Sequence, residues 1–515
     1  MEINKKISIA VFLFIALCSS EAAVKVNSMF SSSMVLQRNM VVPIWGTAAP
    51  AETVTVEFNG QVIRTRTAED GRWIVRLQPM NDGGPFELKV SGTDTIILQD
   101  VMVGEVWICS GQSNMTFELK KTTFAAEDVA GARNPMIRLY TVPRVVSETL
   151  RTECSGTWSV CTPEHAEDFS AVAYFFGKAL QESLRIPIGL VHVSWGGTAA
   201  EGWVSRGSLE KEPQFMPILE RWNNDVANYP AAIAEFNRRL PELTSKWKID
   251  SAEAVAKGRA LPRKPTAPRG PGHRDTPNGQ FNGMLSPVIP YGMRGVIWYQ
   301  GEGNASRAEQ YRTLFPALIH EWRNLWKQGD FPFYFVQLPN LSRQPEPSKS
   351  GWAELREAQL MALSVPNTGM AVTIDVGDPK DLHPTNKRPV GERLSRIALE
   401  RTYGKNIRSS GPLFTSMKVK KNTVLIEFSI GAESLTANGG GLNGFTIAGA
   451  DKKFVPADAV ITGNTVIVSS PSVPKPVAVR YGWADNPNCS LYNNAGLPAS
   501  PFRTDSWPEV TKGKR

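Results

Sequence analysis

The chain has 515 residues, a formal net charge of +8, and an ordinary globular balance of 42% hydrophobic and 21% charged residues. This length allows two to four domains. Its basic residues are dispersed, apart from a cluster at 259–274 and a lysine-rich tail, and no basic helix carries interleaved aromatic residues, which argues against nucleic-acid binding. The five histidines are scattered without an HxH or HExxH pattern, so neither a metal nor another cofactor is expected.

Residues 1–23 are predicted to form a secretory signal peptide. Two lysines precede an apolar run at 7–17, and small residues lead to a cleavage position at Ala22 or Ala23. The apolar run is too short to span a membrane, and no later segment is long and apolar enough to do so. We therefore expect a periplasmic or extracellular protein that has no integral membrane segment after processing.

Four cysteines remain after the predicted cleavage, namely Cys109, Cys154, Cys161 and Cys489, and no CxxC pair occurs among them. In an oxidising compartment Cys154 and Cys161 could close a short disulfide loop. The sequence alone does not fix that pairing.

Residues 24–100 are predicted to form a small N-terminal β-sandwich. Short runs at 53–58, 73–77 and 86–90 largely alternate apolar and polar residues, and Asn-Gly and Asp-Gly turns separate such runs. This region contains no cluster of catalytic residue types.

Residues 101–408 switch to alternating strands and helices. The predicted strands lie at 101–108, 188–194, 295–299, 333–337 and 370–375. The predicted helices lie at about 171–185, 305–327, 352–364 and 387–402, the first with Ser170 as its cap. This alternation is typical of a parallel sheet covered by helices on both faces, which binds its ligand beyond the carboxyl ends of the strands.

The pattern is interrupted at about 205–280, where we expect an inserted helical excursion and a long loop over the site. Residues 409–505 return to short strands and are predicted to form a C-terminal β-rich region. Residues 506–515 are expected to be a frayed tail.

Four loops at strand ends carry the candidate chemistry. In the first, GQSNM at 111–115, Ser113 follows an apolar strand among small residues, as a nucleophile beside free backbone N–H groups would. In the second, WGGT at 195–198, Gly196 and Gly197 expose N–H groups that can point at an anion, although a plain tight turn is an alternative. Ser194 is the alternative nucleophile, ranked second because it lies on the strand side of that turn.

The third loop ends the strand at 295–299 with Gln300 and Glu302, an amide and a carboxylate that are unusual for pure packing. The fourth loop follows 370–375 and contains His383 among several aspartates. A histidine beside acidic residues suits a general base with an orienting acid.

The segments 111–115, 195–198, 298–302 and 381–384 together resemble, in order, the motifs of the sialate O-acetylesterase family of SGNH-type hydrolases. The similarity extends over most of the mature chain. It implies a three-layer α/β/α esterase that removes O-acetyl groups from carbohydrates without a metal. It implies that Ser113 is the nucleophile and His383 the base. It implies that the backbone N–H groups of Ser113, Gly196 and Gly197 are oxyanion donors. It also implies that Gln300 is a further oxyanion or substrate contact and that Glu302 supports it.

The orienting acid departs from the SGNH pattern, which places it three residues before the histidine, where this chain has Lys380. Asp381 stands two residues before His383 and is the preferred candidate. Asp378 is the second candidate, and a backbone carbonyl in place of the acid is the third.

The predicted function is that of a secreted serine esterase acting on an O-acetylated sugar or glycan. The family name suggests sialic acid, and acetylated xylan or another plant polysaccharide is an equal rival. A non-catalytic carbohydrate-binding surface protein is the alternative from another class, but it would not need Ser113 together with His383. A lipase-like esterase for long acyl chains is a third possibility.

Overall fold

The computed structural model describes residues 23–259, 261–341 and 349–515, and it shows a mixed α/β protein with large β-sheets. Except for residue 23, the predicted signal peptide lies outside the described residues. Of the described helices, none combines the length and the apolar character that a membrane crossing requires.

The described strands, numbered in chain order, are β1 (Lys25–Val26), β2 (Val35–Gln37), β3 (Val42–Thr47), β4 (Thr53–Phe58), β5 (Gln61–Arg66), β6 (Arg72–Leu77), β7 (Gly83–Ser91), β8 (Thr95–Gly111), β9 (Asn134–Thr141), β10 (Trp158–Cys161), β11 (Ile188–Ser194), β12 (Gly295–Tyr299), β13 (Phe333–Val336), β14 (Thr368–Ala371), β15 (Leu413–Lys420), β16 (Thr423–Ser429), β17 (Leu435–Ala437), β18 (Phe445–Ala448), β19 (Val455–Pro456), β20 (Asp458–Thr462), β21 (Thr465–Ser469), β22 (Ala478–Tyr481), β23 (Leu491–Asn493) and β24 (Phe502–Arg503). The described α-helices are α1 (Ser113–Thr116), α2 (Ala125–Ala130), α3 (Pro163–Ala166), α4 (Ala171–Leu184), α5 (Arg206–Lys211), α6 (Met216–Ala256), α7 (Ala308–Trp326), α8 (Gly351–Met361) and α9 (Arg388–Arg401).

The long strand β8 connects the N-terminal strands to the central sheet. Its first half pairs with β2 and β7, and its second half pairs with β11 and β12. One buried apolar cluster extends from Val24 to Leu399, so the N-terminal strands share a core with the central sheet. The domain boundaries drawn from the sequence stay predictions.

The central sheet has the order β10-β9-β11-β8-β12-β13-β14, and every neighbouring pair is parallel except β9 with β10. Two predicted strands have the bounds expected from the sequence, 188–194 and 295–299. The strand expected at 370–375 ends earlier, at Ala371, because the chain turns where Val376 N–H bonds to Thr373 O. Because β8 pairs in parallel with both β11 and β12, the carboxyl ends of these three strands lie side by side.

Helices cover both faces of this sheet. Trp107 on β8 packs edge-on against Phe176 of α4, whereas Trp298 on β12 packs against Phe315 of α7. The register pairs Trp298 with Ser110, three residues beyond Trp107 on β8. Because side chains alternate along a strand, the two tryptophans point to opposite faces. Helix α4 therefore lies on one face of the sheet and α7 on the other.

The predicted excursion at 205–280 contains α5, a 3-10 turn at Pro213–Phe215 and the 41-residue helix α6. Helix α6 is mostly exposed and ends near a loop that folds back along it, since Trp247 Nε1 donates to Pro262 O at 2.9 Å. The same loop brings Arg274 to Gly196 O at 3.4 Å. The excursion therefore reaches the edge of the sheet where the candidate loops meet.

Strands β15 to β24 form three sheets around a second buried apolar cluster. The end of the chain, expected from the sequence to be a frayed tail, makes polar contacts with the rest of the protein. Thr511 is 1% exposed and its N–H donates to the Glu354 carboxylate, while Glu509 pairs with Arg480 at 2.5 Å. Glu509 and Thr511 are thus held by polar contacts that the local apolar pattern does not predict, while residues 512–515 are exposed.

The disulfide considered between Cys154 and Cys161 is not formed, and all four described cysteines are free. Cys154 Sγ lies 3.1 Å from the Tyr140 hydroxyl, whereas Cys161 ends β10 and contacts Ala132 O. The two thiols have separate neighbours, which explains why no bridge joins them.

Candidate active site

The candidate site is built at the carboxyl end of β8, where the strand turns into the short helix α1. Gly111 has a φ of +136°, and a Cβ at this position would lie 2.1 Å from Tyr299 O of the neighbouring strand. Any larger residue would push the two strand ends apart. The glycine therefore lets the chain turn at once, so that Ser113 becomes the first residue of α1.

Ser113 and His383 meet, although 270 positions separate them in the chain. The Ser113 Oγ lies 2.8 Å from His383 Nε2, a hydrogen-bond distance suited to proton transfer from a nucleophile to a base. The imidazole sits in the loop after β14, as predicted from the sequence, and 38% of its side chain is exposed.

Asp381 is the carboxylate that reaches this histidine. Its Oδ1 accepts a hydrogen bond from the His383 backbone N–H at 2.8 Å and lies 3.7 Å from the ring Nδ1. The Asp378 carboxylate instead accepts from Lys380 N–H at 2.7 Å. Within the described residues no backbone carbonyl accepts from His383 Nδ1. Of the three acid candidates, the geometry favours Asp381.

The electrostatic surroundings keep His383 in its basic form. Burial lowers the pKa of His383 below its ordinary value, the positive charge of Lys387 lowers it further, and only Asp381 acts in the opposite direction. At neutral pH the imidazole is therefore unprotonated and able to accept the Ser113 proton.

Backbone N–H groups beside Ser113 are free to hold an oxyanion. The N–H groups of Ser113, Gly196 and Gly197 have no hydrogen-bond partner in the part of the chain that the structure describes. A Cβ at Gly196 would lie 3.2 Å from the Ser113 Cβ, and Gly197 has a φ of +80°. The Gly-Gly turn thus packs directly against the candidate nucleophile, which is the place where such donors are needed.

A cavity of about 680 Å³ opens above this pair, lined by Ser113, His383 and the turn at 195–197. Its volume is in the range of small-ligand sites. Three basic side chains also line it, Lys121, Arg144 and Arg274, the last from the predicted excursion.

Gln300 and Glu302 do not line this cavity, so the expectation that Gln300 contacts the oxyanion or substrate is corrected. Gln300 is 0% exposed; its Nε2 donates to Asn304 Oδ1 at 2.7 Å and its Oε1 accepts from the Tyr311 hydroxyl at 3.0 Å. Its amide is thus engaged in fastening the end of β12 to α7. Glu302 lies behind the nucleophile, where burial raises the pKa of its carboxyl.

The alternative nucleophile, Ser194, is buried at 2% exposure. Its Oγ lies 2.5 Å from His192 Nε2 and 2.8 Å from Thr116 Oγ1, so it forms a second serine–histidine pair behind the cavity wall. Burial lowers the pKa of His192 to about 3. Ser194 therefore lacks both access to a substrate and a useful base.

Two residues of the site were missed in the sequence. Asn114 and Lys387 are buried beside Ser113 and His383, and Lys387 Nζ donates to Asn114 Oδ1. Their signals were the asparagine next to the nucleophile and a lysine four positions after the histidine. Neither signal distinguishes a buried polar group from a solvated one.

Residues 284–400 match the family described as carbohydrate esterase, sialic acid-specific acetylesterase. A solved carbohydrate acetylesterase from Xanthomonas citri is 35% identical, with a TM-score of 0.80 over 94% of this chain and 100% of that one. The chain belongs to the sialate O-acetylesterase family of carbohydrate esterases. Sialate O-acetylesterases of Mus musculus and Homo sapiens are 29% identical over 96% and 92% of this chain, and over 96% and 91% of their own.

Membership of the sialate O-acetylesterase family makes the chain a carboxylic ester hydrolase, and it supports carbohydrate O-acetyl esters as the substrate class. The family resemblance read from the four motifs is thereby confirmed. A purely carbohydrate-binding role, the alternative from another class, is overturned by the same finding.

Proposed function

We propose that this carbohydrate esterase removes acetyl groups through an acetyl-enzyme on Ser113. The observation that carries the proposal is the 2.8 Å contact between Ser113 Oγ and His383 Nε2 at the floor of an open cavity. The free N–H groups of Ser113 and Gly196 beside it support the same role.

In the first half of the reaction, His383 Nε2 takes the proton of Ser113 as Oγ attacks the acetyl carbonyl carbon. The carbonyl oxygen becomes an oxyanion, which the N–H groups of Ser113, Gly196 and Gly197 stabilise. One such donor is worth about 2.7–4 kcal/mol of transition-state stabilisation. The carbon–oxygen bond to the sugar then breaks, and His383 returns the proton to the leaving alkoxide.

In the second half, His383 takes a proton from water, and the hydroxide attacks the acetyl carbon of the ester on Ser113. The bond to Oγ breaks, Oγ regains the proton from His383, and acetic acid leaves and ionises to acetate in water. Asp381 lies beside Nδ1 on the opposite edge of the ring, where its charge stabilises the imidazolium formed in both halves.

The sugar we propose first is an O-acetyl sialic acid. The cavity lining carries three cations, Lys121, Arg144 and Arg274, and two carboxylates, Glu118 and Asp381. Lys121 is paired with Glu118 at 2.9 Å, whereas Arg144 has no ion-pair partner within the described residues and therefore supports an acidic sugar. Acetylated xylan or another plant polysaccharide is the rival, since the same serine chemistry would act on it.

The experiment is a release assay for acetate from O-acetyl sialic acid and acetylated xylan in parallel, with p-nitrophenyl acetate as a neutral reference. We expect activity on all acetyl esters that the enzyme accepts to disappear in Ser113→Ala. Retained activity in Ser113→Ala would contradict the acetyl-enzyme on this serine. Faster release of acetate from xylan than from sialic acid would replace the proposed sugar without affecting the mechanism. Faster hydrolysis of p-nitrophenyl octanoate than of p-nitrophenyl acetate would indicate a lipase-like preference.

We also propose an SGNH-type three-layer domain at 101–408 between β-rich regions at 24–100 and 409–505. A separate proposal, based on the signal-peptide pattern at 1–23, is that the protein is exported. Amino-terminal sequencing of the secreted or periplasmic protein tests the export. A mature chain that begins at residue 23 or 24 is the expected result, and an unprocessed cytoplasmic chain would contradict it.

A further inference from the structure

Asn114 connects the segment that carries Ser113 to the loop that carries His383. Its Nδ2 donates to Leu382 O at 3.0 Å, and Leu382 immediately precedes His383. Asn114 itself immediately follows Ser113 and is 0% exposed. The amide thus links the two chain segments whose side chains must meet at 2.8 Å.

Two charged residues, the buried Lys387 and the partly buried Glu302, hold the Asn114 side chain in that orientation. The second N–H of Nδ2 donates to Glu302 Oε1 at 2.6 Å, and Oδ1 accepts from Lys387 Nζ. The amide therefore has an acceptor for each N–H and a donor for its oxygen, which leaves one orientation that satisfies it. A flipped amide would face the carboxylate with its oxygen and the ammonium group with its N–H groups.

Lys387 is enclosed on its other sides by aromatic rings. Its Nζ lies 4.8 Å from the ring centre of Phe117 and 5.6 Å from that of Tyr299, within the range of cation–π contacts. Neither Lys387 nor Glu302 lines the cavity. Lys387 and Glu302 thus lie beside the site on either side of Asn114, at a place where they cannot touch a substrate in that cavity.

We propose that Lys387 and Glu302 are positioning residues, which act through Asn114 to fix the distance between Ser113 and His383. The proposal rests on the function proposed above, because it explains how the same serine and histidine are held together. Removing a charged group from water is costly unless it is hydrogen-bonded, and each of these two side chains is hydrogen-bonded to Asn114. Those two bonds are what fix the orientation of the Asn114 amide.

The charge of Lys387 has a second effect on the same histidine. The charged groups facing Lys387 are Glu302 and Asp381, and its pKa falls to about 7 because of its burial. Asp381 and Lys387 face His383, and the cavity adds Glu118, Lys121, Arg144 and Arg274. Because the ammonium group opposes protonation of His383, its removal raises the pKa of the imidazole.

The first test uses Lys387→Met, with Lys380→Met as the matched control, because Lys380 is an exposed lysine in the same loop. For Lys387→Met we expect kcat on p-nitrophenyl acetate to fall roughly 10–100-fold with little change in KM, since the reacting groups are misplaced but the cavity is intact. We also expect the acidic limb of the kcat/KM profile to move to higher pH by roughly 1 unit. Lys380→Met should show neither effect.

The second test uses the pair Glu302→Gln and Glu302→Leu. Glutamine keeps an oxygen that accepts from Asn114 Nδ2, so kcat should stay within roughly 3-fold of the wild type, whereas leucine removes the acceptor and should lower kcat at least 10-fold. This pair decides the question if Lys387→Met does not fold, as judged by circular dichroism.

An unchanged kcat and acidic limb in a folded Lys387→Met variant would overturn the proposal, and so would equal kcat values for the two Glu302 variants. Failure of the proposed function is distinguishable, because it would appear as retained activity in Ser113→Ala whatever the Lys387 and Glu302 variants do.

Discussion

Two serine–histidine pairs lie at the ends of the neighbouring strands β8 and β11. Both have a short hydrogen bond, but they differ in access to the cavity and in burial. Ser113 and His383 are 2.8 Å apart and line the cavity. Ser194 and His192 are 2.5 Å apart, at 2% and 4% exposure. A short contact between a hydroxyl and an imidazole therefore does not by itself identify a nucleophile.

The surroundings of the two imidazole rings also differ in how well they stabilise a protonated ring. His383 has Asp381 3.7 Å from Nδ1, so the imidazolium formed during catalysis has a nearby counter-charge. His192 Nδ1 is buried without a partner in the described part of the chain, and burial lowers its pKa to about 3. A ring that resists protonation so strongly cannot take the proton of a hydroxyl at neutral pH.

The largest expected effect separates the two histidines. His383→Ala should lower kcat/KM on p-nitrophenyl acetate roughly 10⁴-fold, because the general base is removed. His192→Leu should leave kcat/KM within roughly 10-fold of the wild type, since this ring only fills space and bonds Ser194. A loss in His192→Leu as large as that in His383→Ala, in a folded protein, would contradict the assignment of the pairs.

An intermediate effect is expected for the acid. Asp381→Asn should lower kcat roughly 10–100-fold, because the imidazolium loses its counter-charge, while the matched Asp378→Asn should stay within roughly 3-fold. The acidic limb of kcat/KM reports the pKa of His383, which burial lowers below its ordinary value in the wild type. Asp381 raises that pKa, so its removal should move the limb to lower pH, opposite to Lys387→Met.

The pH profiles of Asp381→Asn and Lys387→Met check the two opposite shifts of the acidic limb. A limb that moves to higher pH in Asp381→Asn would show that this carboxylate does not act on the histidine. Equal losses of kcat in the Asp381 and Asp378 variants would leave the choice between the two aspartates unsupported.

The smallest effect on the rate is expected for Ser194→Ala, which should keep kcat/KM within roughly 3-fold of the wild type. Its cost should appear in stability instead, because His192 Nε2 loses its buried partner. An unsatisfied buried group of this kind costs about 1–3 kcal/mol of unfolding free energy, measurable by urea denaturation. A Ser194→Ala protein of full stability but without activity would reverse the comparison.

The sequence could predict that the candidate loops lie together, because parallel strands bring their carboxyl ends to the same edge of the sheet. The four loops lie at strand ends, and the turn at Gly196 and the loop at His383 both reach Ser113 as expected. Gln300 was misjudged because the side on which a strand-end amide points depends on neighbours such as Tyr311 and Asn304.

Other features had no sequence signal for a physical reason. The buried ammonium group of Lys387 is stabilised by contacts with Asn114 and with aromatic rings from distant segments. The ordered end of the chain depends likewise on Glu354 and Arg480, which hold Thr511 and Glu509. A local sequence pattern shows where a charged residue occurs, but it does not show which distant side chain stabilises that charge in the fold.

The most direct measurement is peptide mapping after reaction with an irreversible organophosphate reagent for activated serines. We expect stoichiometric inactivation with the label on the peptide that contains Ser113, no label in His383→Ala, and unchanged labelling in Ser194→Ala. Label on the Ser194 peptide, or full activity in an enzyme labelled at Ser113, would contradict this expectation.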